Sequence, residues 1–168
     1  LAGNIIARAA MAQGRNLTGM VSYGVEMRGG TANATLVISD DEIASPIVTN
    51  PKMAIILNQA SLDKFEDQIL AGGTVILNTS LIDREIQRND LTVVEIDATN
   101  IAGQVGDQRA ANIVAIGAFI QGTGILQADN VVEAIKELFG KKKPSLIDLN
   151  LRAFEQGRKN VKSIPAGA

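Results

Sequence analysis

The sequence predicts an α/β fold: a three-layer α/β/α arrangement with helices on both faces of a mixed, mostly parallel central sheet. Three observations predict it. Helical and strand-like patterns interleave along the chain instead of segregating into blocks. Residues 53–57 and 74–77 are continuous apolar runs, as in strands covered on both faces. Residues 107–121 make a helical pattern that is apolar nearly all round, so it requires cover on every side. The chain has 168 residues and 46% hydrophobic content, which supports one sizeable core and a single domain over residues 1–168. Aromatic content is 3%, so that core must be aliphatic.

The elements follow in order. Leu1, Ala2, Ile5, Ile6, Ala9 and Ala10 recur at helical spacing over residues 1–13, and Gly14 can end that helix. Nothing caps its start, so the strand and turn that feed it are expected to be missing from the sequence. Residues 17–22 form a short strand. Residues 31–38 alternate, with Ala32, Ala34, Leu36 and Ile38 on one face and Thr31, Asn33, Thr35 and Val37 on the other. Residues 43–48, interrupted by Pro46, read as a short edge segment. The apolar run 53–57 is a buried strand. Ser61 is expected to cap a helix to about Leu70, with Leu62, Phe65 and Ile69 as its buried stripe, Asp63 in its first turn and Gly72-Gly73 beyond its end.

Strands at 74–77 and 91–96 come next, then the apolar helix 107–121. Gly117 inside that helix costs about 1 kcal/mol relative to Ala, which points to close packing there. Asp129 is expected to cap a helix to Phe139. Ser145 and Asp148 resemble a capping box for a last helix to about Val161, and residues 164–168 read as a frayed tail.

Composition excludes several functions. Lys+Arg 16 against Asp+Glu 18 gives a net charge of −2, without the basic face of a nucleic-acid or membrane-surface binder. The one basic run, Lys141-Lys142-Lys143, reads as a solvated helix end. With no Cys and no His, the chain cannot supply a thiolate nucleophile, a Cys-ligated iron–sulfur cluster, an ordinary zinc site or a His general base. No metal site and no catalytic residue acting alone is expected. No apolar run reaches the ~20 residues of a membrane span, and no signal peptide is visible, so a cytoplasmic protein is expected.

The densest chemistry lies at Ser22-Tyr23-Gly24-Val25-Glu26-Met27-Arg28-Gly29-Gly30, between two strand-like runs. Arg28 offers a guanidinium fork to a carboxylate or phosphate, and Glu26, two residues away, would orient it. The same pair could instead rigidify a connection at an interface. Gly24, Gly29 and Gly30 permit close backbone approach or simply make a turn. Tyr23 is a hydrogen-bonding candidate or a half-buried packing residue, and Asn33 either reaches the pocket or pairs locally. Asn58 and Asn78 end apolar strands on the side where α/β sheets bind ligands, although Asn also suits turns. Arg109 and Asn112 are polar positions on the apolar helix and need partners there.

The run SYGVEMRGGTANAT at residues 22–35 resembles the gamma subunit, or gamma domain, of the 2-oxoacid:ferredoxin oxidoreductases, the group acting on pyruvate, 2-oxoglutarate and 2-oxoisovalerate. The similarity continues through Ser45-Pro46-Ile47-Val48, Leu57-Asn58-Gln59, Gly72-Gly73, Arg109-Ala110-Ala111-Asn112, Asn150 and Ala153-Phe154. Val25 stands where the family usually has Pro, and the family's opening strand and Gly-rich turn are absent. MRGG followed by TAN looks closest to the 2-oxoglutarate branch.

The resemblance implies the domain III-like fold of pyruvate:ferredoxin oxidoreductase. It further implies a multi-subunit enzyme that decarboxylates a 2-oxoacid on thiamine diphosphate, reduces ferredoxin through iron–sulfur clusters and forms an acyl-CoA. Thiamine diphosphate and the clusters would sit on alpha, beta and ferredoxin-like delta partners. This chain would bind no cofactor alone and would supply part of a substrate or coenzyme A pocket. Two alternatives stand beside it: a non-catalytic assembly module of that complex, and a stand-alone nucleotide-binding domain.

Overall fold

A computed structural model describes residues 1–22, 32–140 and 143–167. In chain order the elements are α1 (Ala2–Ala12), β1 (Asn16–Ser22), β2 (Asn33–Ser39), β3 (Met53–Ile56), α2 (Gln59–Phe65), β4 (Thr74–Asn78), β5 (Thr92–Ile96), α3 (Ala98–Val105), α4 (Ala111–Thr123), α5 (Ala128–Gly140), α6 (Ile147–Lys159) and β6 (Lys162–Ile164). Short 3-10 turns extend α2 and precede α4 and α6.

The central sheet has the order β3-β4-β5-β6. β3, β4 and β5 run parallel, and β6 closes one edge antiparallel to β5. Alternation along each strand divides the core in two. Met53, Ile55, Ile76, Val94 and Ile96 face α4 and the other large helices. Ala54, Ile56, Val75, Leu77 and Val93 face α2 and the connection over residues 79–91. This is the expected three-layer order.

β1 and β2 do not join that sheet. They form a separate antiparallel ribbon in full register, Asn16 opposite Ser39 through Ser22 opposite Asn33. Leu36 and Ile38 carry one face of the ribbon onto the large core beside α1.

α4 buries every residue from Ile113 to Ile120. The close packing expected at Gly117 is present. A Cβ there would lie 2.2 Å from the Phe154 carbonyl oxygen on α6, and one at Gly157 would lie 2.0 Å from the Val114 carbonyl oxygen. Two helix backbones thus touch through facing glycines, which no other residue permits. Gly14, at φ +77°, follows α1 as expected.

Several local expectations are corrected. Asn58, not Ser61, caps α2: its Oδ1 accepts from the Ser61 backbone N–H at 2.9 Å. Asp63 lies past the first turn and pairs with Arg84. Asp129 is inside the first turn of α5, and Asp148 of the supposed capping box binds Arg152 instead. Residues 43–48 form bends and no strand. Ile164, expected to open the frayed tail, instead ends β6, and Gly167 N–H donates to Asn89 O. The helix α3 had no counterpart in the sequence reading.

Candidate functional site

Tyr23, Gly24, Glu26, Arg28, Gly29 and Gly30 lie outside the described residues. Their two anchors are described. Ser22 ends β1 and Asn33 opens β2, as direct cross-strand partners. Asn33 is on the ribbon face opposite Ala34, Leu36 and Ile38, as the alternation predicted. Next to it, the Cβ of Ala34 is 3.0 Å from where a Cβ of Gly3 would stand. The end of the ribbon and the start of α1 therefore abut, and Gly3 is the residue that lets them.

A cleft of about 470 Å3 opens at that start of α1. Asn4, Arg109, Lys143, Leu146 and Asn150 contribute to its lining. Arg109 is not on the buried helix. It sits in the 3-10 turn before α4, with a side chain 84% exposed. Asp107, which caps that turn, holds it: the carboxylate accepts from Arg109 Nε at 2.9 Å and Nη2 at 2.7 Å, and also from its backbone N–H. The Arg109 side chain in turn keeps the Asp107 carboxyl below the usual range, and the pairing raises the guanidinium. Arg109 is therefore a fixed cation with donors left over for an anion. Asn112 is half-buried one turn along, and among the described residues it takes no side-chain partner.

Asn78 and Asn58 lie elsewhere, at the carboxyl ends of adjacent strands. Asn78 is 1% exposed and its amide is fully used. Nδ2 donates to Leu57 O and Thr99 Oγ1, and Oδ1 accepts from the N–H groups of Ala98 and Ser80. Ser80 Oγ donates to Asp97 Oδ1 and accepts from the N–H groups of Thr99 and Asn100. Two side chains from the end of β4 thereby satisfy the first three amides of α3, which has no local cap. The structure brings Ser22 with Asn33, and Asn58 with Asn78. It sets Arg109 and Asn112 apart from both pairs.

Sequence reasoning overlooked Asn4, Lys143 and Asn150 in the cleft. Asn150 is 4% exposed and donates to Leu146 O. Its place among the stretches that carry the family resemblance was the available signal. Among the described residues, no group of three or more acidic side chains is placed to hold a metal. The sequence offers no thiolate for a cluster, so an iron–sulfur centre does not fit this chain. Among the described residues, no helix is long and apolar enough to cross a membrane.

Comparison with known proteins agrees with this architecture. The family described as Pyruvate ferredoxin/flavodoxin oxidoreductase matches residues 1–160. The chain is 36% identical over 157 residues to the ketoisovalerate oxidoreductase subunit VorA of Methanothermobacter thermautotrophicus, covering 92% of this chain and 32% of VorA. It thus spans about a third of the length of that relative. It is 34% identical over 168 residues to the 2-oxoglutarate synthase subunit KorC of Methanothermobacter marburgensis, covering 96% of this chain and 89% of KorC. Among solved structures, the keto/oxoacid ferredoxin oxidoreductase gamma subunit of Geobacter sulfurreducens superposes with a TM-score of 0.77 at 26% identity, over 94% of this chain and 88% of that one.

Proposed function

The chain belongs to the pyruvate ferredoxin/flavodoxin oxidoreductase family, and on that premise we propose that it is the gamma-type subunit of a thiamine diphosphate-dependent 2-oxoacid:ferredoxin oxidoreductase. The single observation that carries the reading is the likeness to KorC, which is 34% identical and matched over 89% of its length. The reaction is the oxidative decarboxylation of a 2-oxoacid to an acyl-CoA with reduction of ferredoxin. 2-Oxoglutarate is the favoured substrate, on the look of residues 22–35. Pyruvate and 2-oxoisovalerate remain open, since VorA, named for ketoisovalerate, is as similar as KorC. Thiamine diphosphate and the clusters belong to alpha, beta and delta partners in the cytoplasm, and supply the decarboxylation and the electron path.

In this reading the chain's own residues bind and orient. Glu26 positions the Arg28 guanidinium on a carboxylate or phosphate of substrate or coenzyme A, and Gly29-Gly30 admit the ligand to the backbone. Ser22 and Asn33 fix the two ends of that segment. Arg109 and Lys143 add positive charge at the cleft by α1. β3 is apolar on both faces yet, among the described residues, unpaired on its outer edge, which suits a further strand ahead of α1.

The isolated chain should oxidise no 2-oxoacid, and adding the alpha and beta partners should restore ferredoxin reduction. In the assembled enzyme, Arg28→Ala should raise the KM for the 2-oxoacid or coenzyme A by about tenfold or more, the scale of a lost hydrogen bond to a charged group. Unchanged kinetics would remove the role given to Arg28. A second reading, an assembly module without a pocket, draws support from Asn78, whose polar atoms are all committed inside the fold. It predicts that Arg28→Ala weakens association and leaves both KM values alone.

A further inference from the structure

The β1–β2 ribbon has one face on the core and one face out. Direct cross-strand partners share a face, so Asn16, Thr18 and Met20 point outward with Ser39, Val37 and Thr35. Met20 is 54% exposed. Neither strand contains a charged residue, in a chain whose charged fraction is 20%. Among the described residues, both outer edges of the ribbon are unpaired.

That combination is unusual for a surface open to water. Free strand edges are ordinarily blunted by Lys, Pro, a bulge or a covering element, and a lone two-stranded ribbon is marginal without cover. Three of the outer helices are charged: α5 carries Glu133, Lys136 and Glu137, α6 carries Asp148, Arg152 and Glu155, and α2 carries Asp63 and Lys64. Depletion of charge marks the core of a lasting interface.

The relatives indicate what covers it. In VorA this domain is about a third of one polypeptide, so a large remainder is covalently attached to it. In KorC nearly the whole chain is this domain. A contact that is internal in the first must be intermolecular in the second. We propose that the uncharged outer face of the β1–β2 ribbon is where this chain docks its companion polypeptide, the protein equivalent to the part of VorA outside the match. The proposal rests on the reading that the chain works in an assembly.

The test uses the purified companion from the same source, the one that matches the remainder of VorA, titrated against this chain by calorimetry. Met20→Lys and Thr18→Lys should each keep the far-ultraviolet spectrum and Tm of the free chain and weaken binding by about tenfold or more, because a buried lysine must shed water without a partner. Arg152→Glu, on the exposed side of α6, should bind as the parent does. Parent-like binding by both lysine variants would overturn the proposal. So would a dimer of the free chain that Met20→Lys splits, since a second copy would then occupy the face. If the parent itself fails to bind the companion, the reading of an assembly falls with it. The kinetic test of Arg28 stands apart from all of these, because it can fail while docking succeeds.

Discussion

The two faces of the central sheet are closed in different ways. On one side α4 and α6 meet backbone to backbone through Gly117 and Gly157. On the other side α2 has only seven residues, of which Leu62 alone is fully buried, and the connection 79–91 has no regular secondary structure. Ile82, Ile86 and Leu91 give it some apolar grip. The rest is ionic and polar. Glu66, 4% exposed, accepts from the backbone N–H groups of Gln87 and Arg88 and pairs with Arg84 Nη1 at 2.7 Å. Arg88 reaches back to the carbonyls of Glu66 and Ile69 and pairs with Asp90 at 2.5 Å. A helix long enough to bury a continuous apolar stripe needs no charge to stay in place. A seven-residue helix and an irregular connection lack that stripe, and arginine side chains tie their carbonyls and carboxylates together instead.

This contrast can be broken most forcefully on the glycine side. Gly157→Ala should destabilise the chain by about 3 kcal/mol, because the new methyl group meets a backbone carbonyl that cannot rotate away. The better helix propensity of Ala returns only about 1 kcal/mol. Denaturant melts measure the difference, and a loss that persists unchanged in 1 M salt confirms that packing is responsible.

The next largest effect belongs to the polar side. Glu66→Ala strands two amides and frees Arg84 to its remaining partner Asp63, which should cost about 2 kcal/mol. Hydrogen exchange should place the damage locally: the Gln87 and Arg88 amides should lose protection while those of α6 keep theirs. Equal loss in both regions would mean that the two faces are not independent.

The smallest effect separates the faces by pH. Hydrogen bonds from Arg84 and from Arg88 hold the carboxyl groups of Asp63 and Asp90 below the usual carboxylate range. A carboxylate depressed in the folded state adds stability above its unfolded pKa of about 3.9, and that stability is lost as pH falls through the folded value. The α2 side should therefore weaken in acid below about pH 4, and the glycine contact should not. The double variant Asp63→Asn, Asp90→Asn should flatten this part of the stability–pH curve. If the acid loss persists in it, these two groups are not its source.

Much of the candidate site was legible only as residue types. The segment 22–30 was found by its density of ionisable groups and glycines, and the strand that follows it by alternation over residues 31–38. Asn4, Lys143 and Asn150 were not assigned to the cleft, because it forms only where α1, α6 and the connection between α5 and α6 meet on folding. Arg109 was assigned to a buried helix because the apolar period runs without a break from Ala110. The 3-10 turn that lifts it out depends on Asp107 accepting the Arg109 amide, a two-residue bond that periodicity does not register.

The sequence by itself determined which runs are buried and which glycine is squeezed. An apolar residue carries its preference for burial wherever it sits, and the periods of 2 and 3.6 state which face it occupies. It also determined that this chain contributes no thiolate or imidazole to any reaction. Tertiary structure alone decided the existence of α3 and β6 and the separation of the ribbon from the sheet. α3 is capped by Asn78 and Ser80 from another strand, and β6 exists because β5 offers it an edge. Hydrogen bonds between groups so far apart in the chain leave no trace in local pattern, since each partner is an ordinary polar residue until the fold brings them together.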